Sequence, residues 1–363
     1  MNTLSIVTIF AYRMNIVIPM AGQSSRFFND GFTVPKYLLP ISQTDPYVTM
    51  IEGAANSLHM NGRLIFIIQR EHTMYGIDNF LRKTYPESVI LYLERYTGGC
   101  VESVYEAAKG YIDNDMPLVI SNCDQFLEWD STEFLQICSQ PHVDGCVLTY
   151  YATTEKNSYC SVDSEKRCLE FREKKVISEH SLVGVHYWKR GSDFIESAED
   201  MLSRNVRDAG EYYVSTSYNY LLQKGKYITI CPMKNTEVYH SIGVPETYYE
   251  FLQKKNPIRV SELSTMKRGW FMGDFLPTAY STKDVEVGIL EHKKDEVWPA
   301  HLHKKGDEIN VLIEGSMKIN NLEIKKGQIF VIPKGHLTKA VFLEDCKVVC
   351  VKVPSDTKDK YCF

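Results

Sequence analysis

No two of the ten cysteines stand in a C-x-x-C pair, and their spacing is irregular. This argues against a zinc ribbon or a disulfide framework and for reduced thiols in a cytoplasm-like compartment. No apolar run reaches the roughly 18 residues that a membrane-crossing helix needs, so the expectation is a soluble protein with no membrane partner. The short apolar stretch within residues 1–13 has no basic residue before it and no small-residue cleavage site after it. It does not read as a signal peptide, and Met14 reads as an alternative start. Net positive charge is missing too: 41 Lys and Arg against 46 Asp and Glu leave a formal -5. Nucleic acid is therefore not an expected partner, and any bound anion must be met by a local cluster. Neither G-x-x-x-x-G-K-[ST] nor G-x-G-x-x-G occurs, which excludes the Walker A loop and the dinucleotide fingerprint. Internal repeats and low-complexity tracts are absent as well.

What is present suits two packed domains. The chain has 363 residues, 44% hydrophobic and 24% charged, and domains run to roughly 100–200 residues each. Short β-branched runs at 15–19, 64–68, 89–93 and 118–120 read as buried strands, with helical patterns between them such as 101–108. Such alternation predicts a parallel, doubly wound sheet, which strands at 145–151 and 182–188 then close. Residues 256–267 lie in a polar, aperiodic stretch that reads as a linker between a first domain at 14–255 and a second at 268–355. Beyond it come only short strands, at 285–290, 308–313, 316–319, 328–332 and 347–353, separated by turn residues. Even spacing without helices predicts a small β-barrel or jelly roll.

The run from Pro19 to Ile41, PMAGQSSRFFNDGFTVPKYLLPI, follows the first strand directly. A loop of small residues at that point lets backbone N–H groups approach an anion, and Arg26 and Lys36 would add the positive charge that a triphosphate demands. Taken alone, the loop reads equally well as an ordinary turn. Asp124 ends an apolar strand, where it suits Mg²⁺ but also a helix N-cap. Thr97-Gly98-Gly99 reads as a second ligand loop or a tight turn, and Glu173 and Lys174 as a site pair or a solvated charged run.

Met20 to Phe27 (MAGQSSRF) followed by Pro35 to Ile41 (PKYLLPI) resembles the signature of the sugar-phosphate nucleotidylyltransferases. The resemblance continues in order through Asn122-Cys123-Asp124-Gln125, Glu173-Lys174, Gly184 to Trp188, Gly210 to Tyr213, and Tyr239 to Glu246 (YHSIGVPE). It is most similar to the nucleotidyltransferase-like subgroup of capsular polysaccharide clusters. The resemblance implies a Rossmann-like domain of the GT-A kind that joins a nucleoside triphosphate to a sugar 1-phosphate and releases pyrophosphate. It further implies nucleotide contacts at Ala21, Gly22, Thr97, Gly98 and Gly99, and sugar contacts at Glu173, Lys174, Gly184 and Glu211. Arg26 and Lys36 would act on the reacting phosphates, and Asp124 would hold Mg²⁺. Tyr212 and Tyr213 read as core or wall. One departure stands out: Ser241 occupies the position of the acid that serves many members as a second metal ligand, so metal binding is expected to rest more on Asp124, water and the substrates, or on help from a neighbour such as His240 or Glu246.

In the second domain His301-Leu302-His303, Glu308 and Gly315 resemble the first cupin motif, and Gly327 to Gly335 the second. A cupin jelly roll is implied, with a possible transition metal on His301, His303 and Glu308. Thr338 stands where the second motif supplies a histidine, and His336 is the candidate substitute. A degenerate cupin used for dimerisation or sugar binding is the other reading. A D-x-D glycosyltransferase is disfavoured, since Asn122-Cys123-Asp124 lacks the first carboxylate. The expected function is therefore a cytoplasmic sugar-phosphate nucleotidylyltransferase, with a fused sugar isomerase or epimerase, or a non-catalytic nucleotide-sugar binding protein, as alternatives. A homodimer is possible.

Overall fold

A computed structural model describes residues 14–42, 48–255 and 257–363; the expectations for residues 1–13 lie outside them. The chain divides into two compact units, one ending at Pro257 and one running from Ile258 to Phe363. None of the described helices is long and apolar enough to cross a membrane.

In the first unit β1 (Asn15–Pro19), β2 (Arg63–Gln69), β3 (Val89–Leu93) and β4 (Leu118–Ser121) lie parallel in the order β4-β1-β2-β3. These strands are apolar at nearly every position because both faces are covered. Ile16, Ile18, Phe66 and Ile68 enter one core, while Val17, Ile65 and Ile67 enter the other. The helix read at 101–108 spans Cys100–Ile112, and its stripe of Val101, Val104, Ala108 and Ile112 packs into that second core.

The sheet is not wholly parallel, which corrects the sequence expectation. After β5 (Gln125–Glu128) and β6 (Gly145–Tyr151), the chain makes a hairpin of β7 (Ser158–Val162) and β8 (Cys168–Glu173) rather than a crossover helix. Strand β9 (His180–Trp188) therefore runs antiparallel between β4 and β6, since a parallel return needs a long crossover. At the edge, β10 (Ile228–Pro232) lies parallel to β6. A side pair joins β11 (Val238–Ser241) to β5, with Ser241 opposite Gln125. That register sets the YHSIG stretch beside Asp124. A third core of Phe27, Ile242, Tyr248 and Phe251 anchors the short helix Ser25–Asn29 and the helix Pro245–Lys255.

The second unit is built of short strands in antiparallel pairs. A five-stranded sheet contains β12 (Trp270–Met272), β13 (Glu286–His292), β15 (Asp307–Glu314), β18 (Ile329–Ile332) and β20 (Cys346–Val353). A three-stranded sheet contains β16 (Ser316–Ile319), β17 (Leu322–Lys325) and β19 (Ala340–Phe342), while β14 (His301–Leu302) pairs with the tail strand β21 (Tyr361–Cys362). Alternation along β15 and β20 turns Glu308, Asn310, Cys350 and Lys352 inward to a common cavity.

Candidate active site

A cavity of about 660 Å³ opens where the loops after β1, β3 and β4 meet. Ala21, Gly22, Lys36, Thr97, Gly98, Gly99, Asp124, Glu173, Gly184 and Glu211 all line it. Ten of the twelve residues expected to act on substrate in this unit thus share one wall. Arg26 and Lys174 do not line it.

Each loop is fixed from within the chain. Ser24 takes the left-handed conformation (φ 54), and its Oγ accepts the Lys36 N–H at 3.1 Å, so the small-residue loop closes onto the Pro35-Lys36 segment. A Cβ added at Gly22 would meet no protein atom within 4 Å. The glycine thus serves no packing contact here and leaves its backbone open to the cavity. At Gly99 (φ +148) a Cβ would lie 2.4 Å from the Tyr212 nitrogen, so only glycine fits. Tyr212 in turn donates its N–H to Gly98 at 3.1 Å and accepts from Val101 at 3.1 Å, which ties the 210–213 segment to the second loop.

At the centre the Lys36 ammonium and Asp124 Oδ2 are 2.6 Å apart, with side chains 20% and 25% exposed. Burial opposes the Lys36 charge, but the adjacent carboxylate more than offsets it, so the ammonium is held above its ordinary range. Arg26 is exposed in the first turn of the helix Ser25–Asn29, near enough for its charge to push against Lys36. Asp124 is also braced from below: its carbonyl accepts the Ile242 N–H at 3.0 Å, and a Cβ on Gly243 would fall 2.3 Å from Oδ2.

The help expected from His240 or Glu246 is not found. Alternation along β11 turns Tyr239 and Ser241 to the cavity. His240 points away, with Nε2 2.8 Å from Glu128 Oε1 and its ring against Phe251. Glu246, exposed in the first turn of the helix Pro245–Lys255, does not line the cavity either. Three carboxylates line the cavity, Asp124, Glu173 and Glu211, and Asp124 is the one paired with Lys36. One carboxylate completed by substrate phosphates and water suits Mg²⁺.

At the far end Glu173 is buried, accepting from Ser215 Oγ at 3.2 Å and from Ser158 Oγ. Burial raises its carboxyl above the usual range. Lys174 (φ 53) instead lies with its Nζ 5.5 Å from the Tyr213 ring centroid, and Tyr213 is the wall residue while Tyr212 is buried. A Cβ on Gly184 (φ +88) would lie 2.2 Å from Asn122 Nδ2. Sequence reasoning missed His72, buried behind the cavity, whose Nδ1 pairs with Tyr37 at 2.7 Å and Nε2 with Tyr96 at 3.3 Å. It links the Lys36 segment to the second loop, and no motif marks it.

The second unit holds a cavity of about 770 Å³, lined among others by His301, His303 and Glu308. One ligand atom from each of the three lies within 4.8 Å of the others, and His303 Nε2 is 3.3 Å from Glu308 Oε2. Metal bonds of roughly 2.0–2.2 Å set neighbouring ligand atoms about 3–4 Å apart, a spacing that the His303–Glu308 pair has, so the three groups together are a candidate site for a divalent transition ion. His303 Nδ1 meets the Asp359 carbonyl, an outer contact that orients the ring. His336 is exposed and outside the cavity, so it is no substitute ligand. Thr338 is buried in the cavity wall, exchanging two backbone bonds with His301.

No family model matches this chain, and no curated protein matches it. Solved structures do. A nucleoside-diphosphate-sugar pyrophosphorylase of Vibrio cholerae aligns with a TM-score of 0.56 at 26% identity, covering 66% of this chain and 99% of its own. A Bacillus anthracis protein described as a glucose-1-phosphate thymidylyltransferase, bound to sucrose, gives 0.54 at 18% identity, over 69% and 98%. The inositol-1-phosphate CTP transferase of T. maritima gives 0.52 at 16%, over 69% and 99%. The two more distant structures share the fold, and the first adds a measurable sequence likeness. The first supports the expected class of enzyme, a nucleotidyltransferase.

Proposed function

We propose that the first unit transfers a nucleotidyl group from a nucleoside triphosphate to the phosphate of a sugar 1-phosphate, releasing pyrophosphate and yielding an activated sugar for glycan synthesis, capsular polysaccharide included. The observation that carries this reading is the Lys36–Asp124 pair, held where two glycine loops face one cavity. Catalysis of this kind rests on positioning anions and offsetting charge. In this reading the backbone at Gly22, Gly98 and Gly99 receives the nucleotide, Lys36 neutralises the reacting phosphates, and Arg26 meets the departing ones from the rim. Asp124 is the residue to hold Mg²⁺, which would polarise phosphate oxygens. Glu173, Gly184 and Glu211 form the sugar end, with Lys174 beside it. The candidate metal cluster of His301, His303 and Glu308 supports a second reading for that unit, a sugar isomerisation or epimerisation in a cupin-like barrel.

The test is pyrophosphate release by the full chain with Mg²⁺, across the common nucleoside triphosphates crossed with a panel of sugar 1-phosphates. Release that requires one member of each set, and disappears in Asp124→Ala, is the expected result. Silence across all pairs while nucleotide still binds would sink the transferase reading.

A further inference from the structure

We propose that Arg268 and Lys360 form a binding site for a phosphate monoester in the cavity of the second unit. Neither residue belongs to the histidine or glycine motifs of that unit; they come from its two ends. Both converge on one ring: Arg268 Cζ is 4.5 Å and Lys360 Nζ 4.6 Å from the Trp298 centroid, and all three line the cavity. The two charges are thus within about 9 Å of each other, close enough to repel.

Among the described residues neither cation has a carboxylate partner. The third lining cation, Lys352, is neutralised by Glu286 at 2.5 Å, and the Trp298 indole N–H is given to Glu296 at 3.0 Å. Glu296 and Glu308 also line the cavity, but they pair with His292 and His303 rather than with either cation, so two cations on an aromatic wall remain for a bound anion to meet.

Both residues are held by dedicated backbone features. Arg268 adopts φ 56 and ψ 31, a conformation that costs a non-glycine residue free energy and is kept where the surroundings enforce it. Here Gly269 follows, whose added Cβ would lie 1.9 Å from the Ile289 carbonyl oxygen. Lys360 follows Asp359, a buried carboxylate that accepts backbone N–H bonds from Lys304 and Lys305 at 2.9 Å each and from Gly306 at 3.0 Å. The next residues pair as β21 with β14. The tail is thereby fixed with Lys360 at the cavity wall.

Phosphate fits better than carboxylate. An arginine fork and a lysine supply two positive charges, which a monoester dianion satisfies and a single carboxylate does not. The remaining wall mixes Phe330 and Phe342 with His301 and Glu308, which suits a small organic group that is apolar on one side and hydroxylated on the other.

The test uses the full chain carrying Lys36→Ala, which weakens any phosphate site in the first unit. Inorganic phosphate and glycerol 1-phosphate are titrated while tryptophan fluorescence is read, with Trp298→Phe identifying the reporter. We expect saturable binding that weakens at least about tenfold in Arg268→Gln and again in Lys360→Gln, with acetate binding more weakly than phosphate. Circular dichroism checks that each variant is folded. Unchanged affinity in both variants overturns the proposal. So does binding that ignores both variants and vanishes with EDTA, because phosphate would then be held by a metal.

Discussion

The two cavities of this chain are walled by different materials. In the first unit the wall at the two glycine loops is backbone: Gly22, Gly98 and Gly99 around a single ion pair. In the second the wall is side chain, with imidazoles, tryptophan and cations drawn from both ends of the unit. A backbone site is made by contiguous residues with special conformations, so it leaves a short string at fixed spacing. A side-chain site can also gather distant residues: here His301, His303 and Glu308 leave a string, whereas Arg268 and Lys360 leave none. The contrast implies that damage to either wall should stay local.

The sharpest break would come from Asp124→Ala. It removes the carboxylate partner of Lys36 and, in the proposed reading, the acid that would hold Mg²⁺, and turnover should fall by roughly 10³-fold. Phosphate binding reported by Trp298 should not change. Pyrophosphate release and fluorescence titration on the same preparation check both halves, and a parallel loss at Trp298 would show that the two cavities are not independent.

Next is Gly243→Ala. The new Cβ would fall 2.3 Å from Asp124 Oδ2, so the carboxylate must move by about an ångström, a displacement that costs roughly 10²-fold in rate. Asp124 stands at a cavity with room to shift, so the melting temperature should hardly change. A large loss of stability with normal residual kcat would contradict this account.

These two positions show what was legible in the sequence. Gly243 and Asp124 lie in recognisable blocks, and the β5–β11 pairing brings those blocks together. The antiparallel β9 was not legible, because a β-branched run carries no sign of its direction. His240 was misjudged since its two neighbours on β11 face the cavity and a period of two must turn it away. Arg268 and Lys360 were missed because nothing in either segment announces that both end on Trp298.

A smaller effect separates burial from charge in the first unit. His186 is buried against Trp188 and Tyr218, and its Nδ1 has no partner. Burial pushes its pKa down from 6.5 to about 3. Below pH 6.5 the unfolded chain takes up a proton that the native chain refuses, so stability present above that pH is lost as pH falls toward 3. The slope is at most about 1.4 kcal/mol per pH unit from this residue. Denaturant titrations at pH 7.5, 5.5 and 4.5 should show the slope in wild type and a shallower one in His186→Gln.

The mildest changes concern the one ligand that each cavity lacks. Ser241 lines the first cavity beside Asp124, and Thr338 lines the second beside His301. Each supplies a hydroxyl where the sequence resemblance expects a carboxylate or an imidazole, and a hydroxyl is the poorer ligand in both cases. Ser241→Asp should lower the Mg²⁺ concentration for half-maximal pyrophosphate release several-fold, at some expense in maximal rate, because the added carboxylate also competes for Lys36. Thr338→His should tighten Zn²⁺ binding to the full chain by about tenfold, as a fourth ligand completes the site. The two outcomes differ in what failure would mean. If Ser241→Asp leaves the Mg²⁺ dependence unchanged, the cation is held by substrate phosphates and Asp124 alone, which keeps the first cavity a backbone site. If Thr338→His gains nothing, the backbone ladder between residues 301 and 338 aims the new ring away from His303 and Glu308, and the second cavity is then an anion site in which the cations matter and the triad does not.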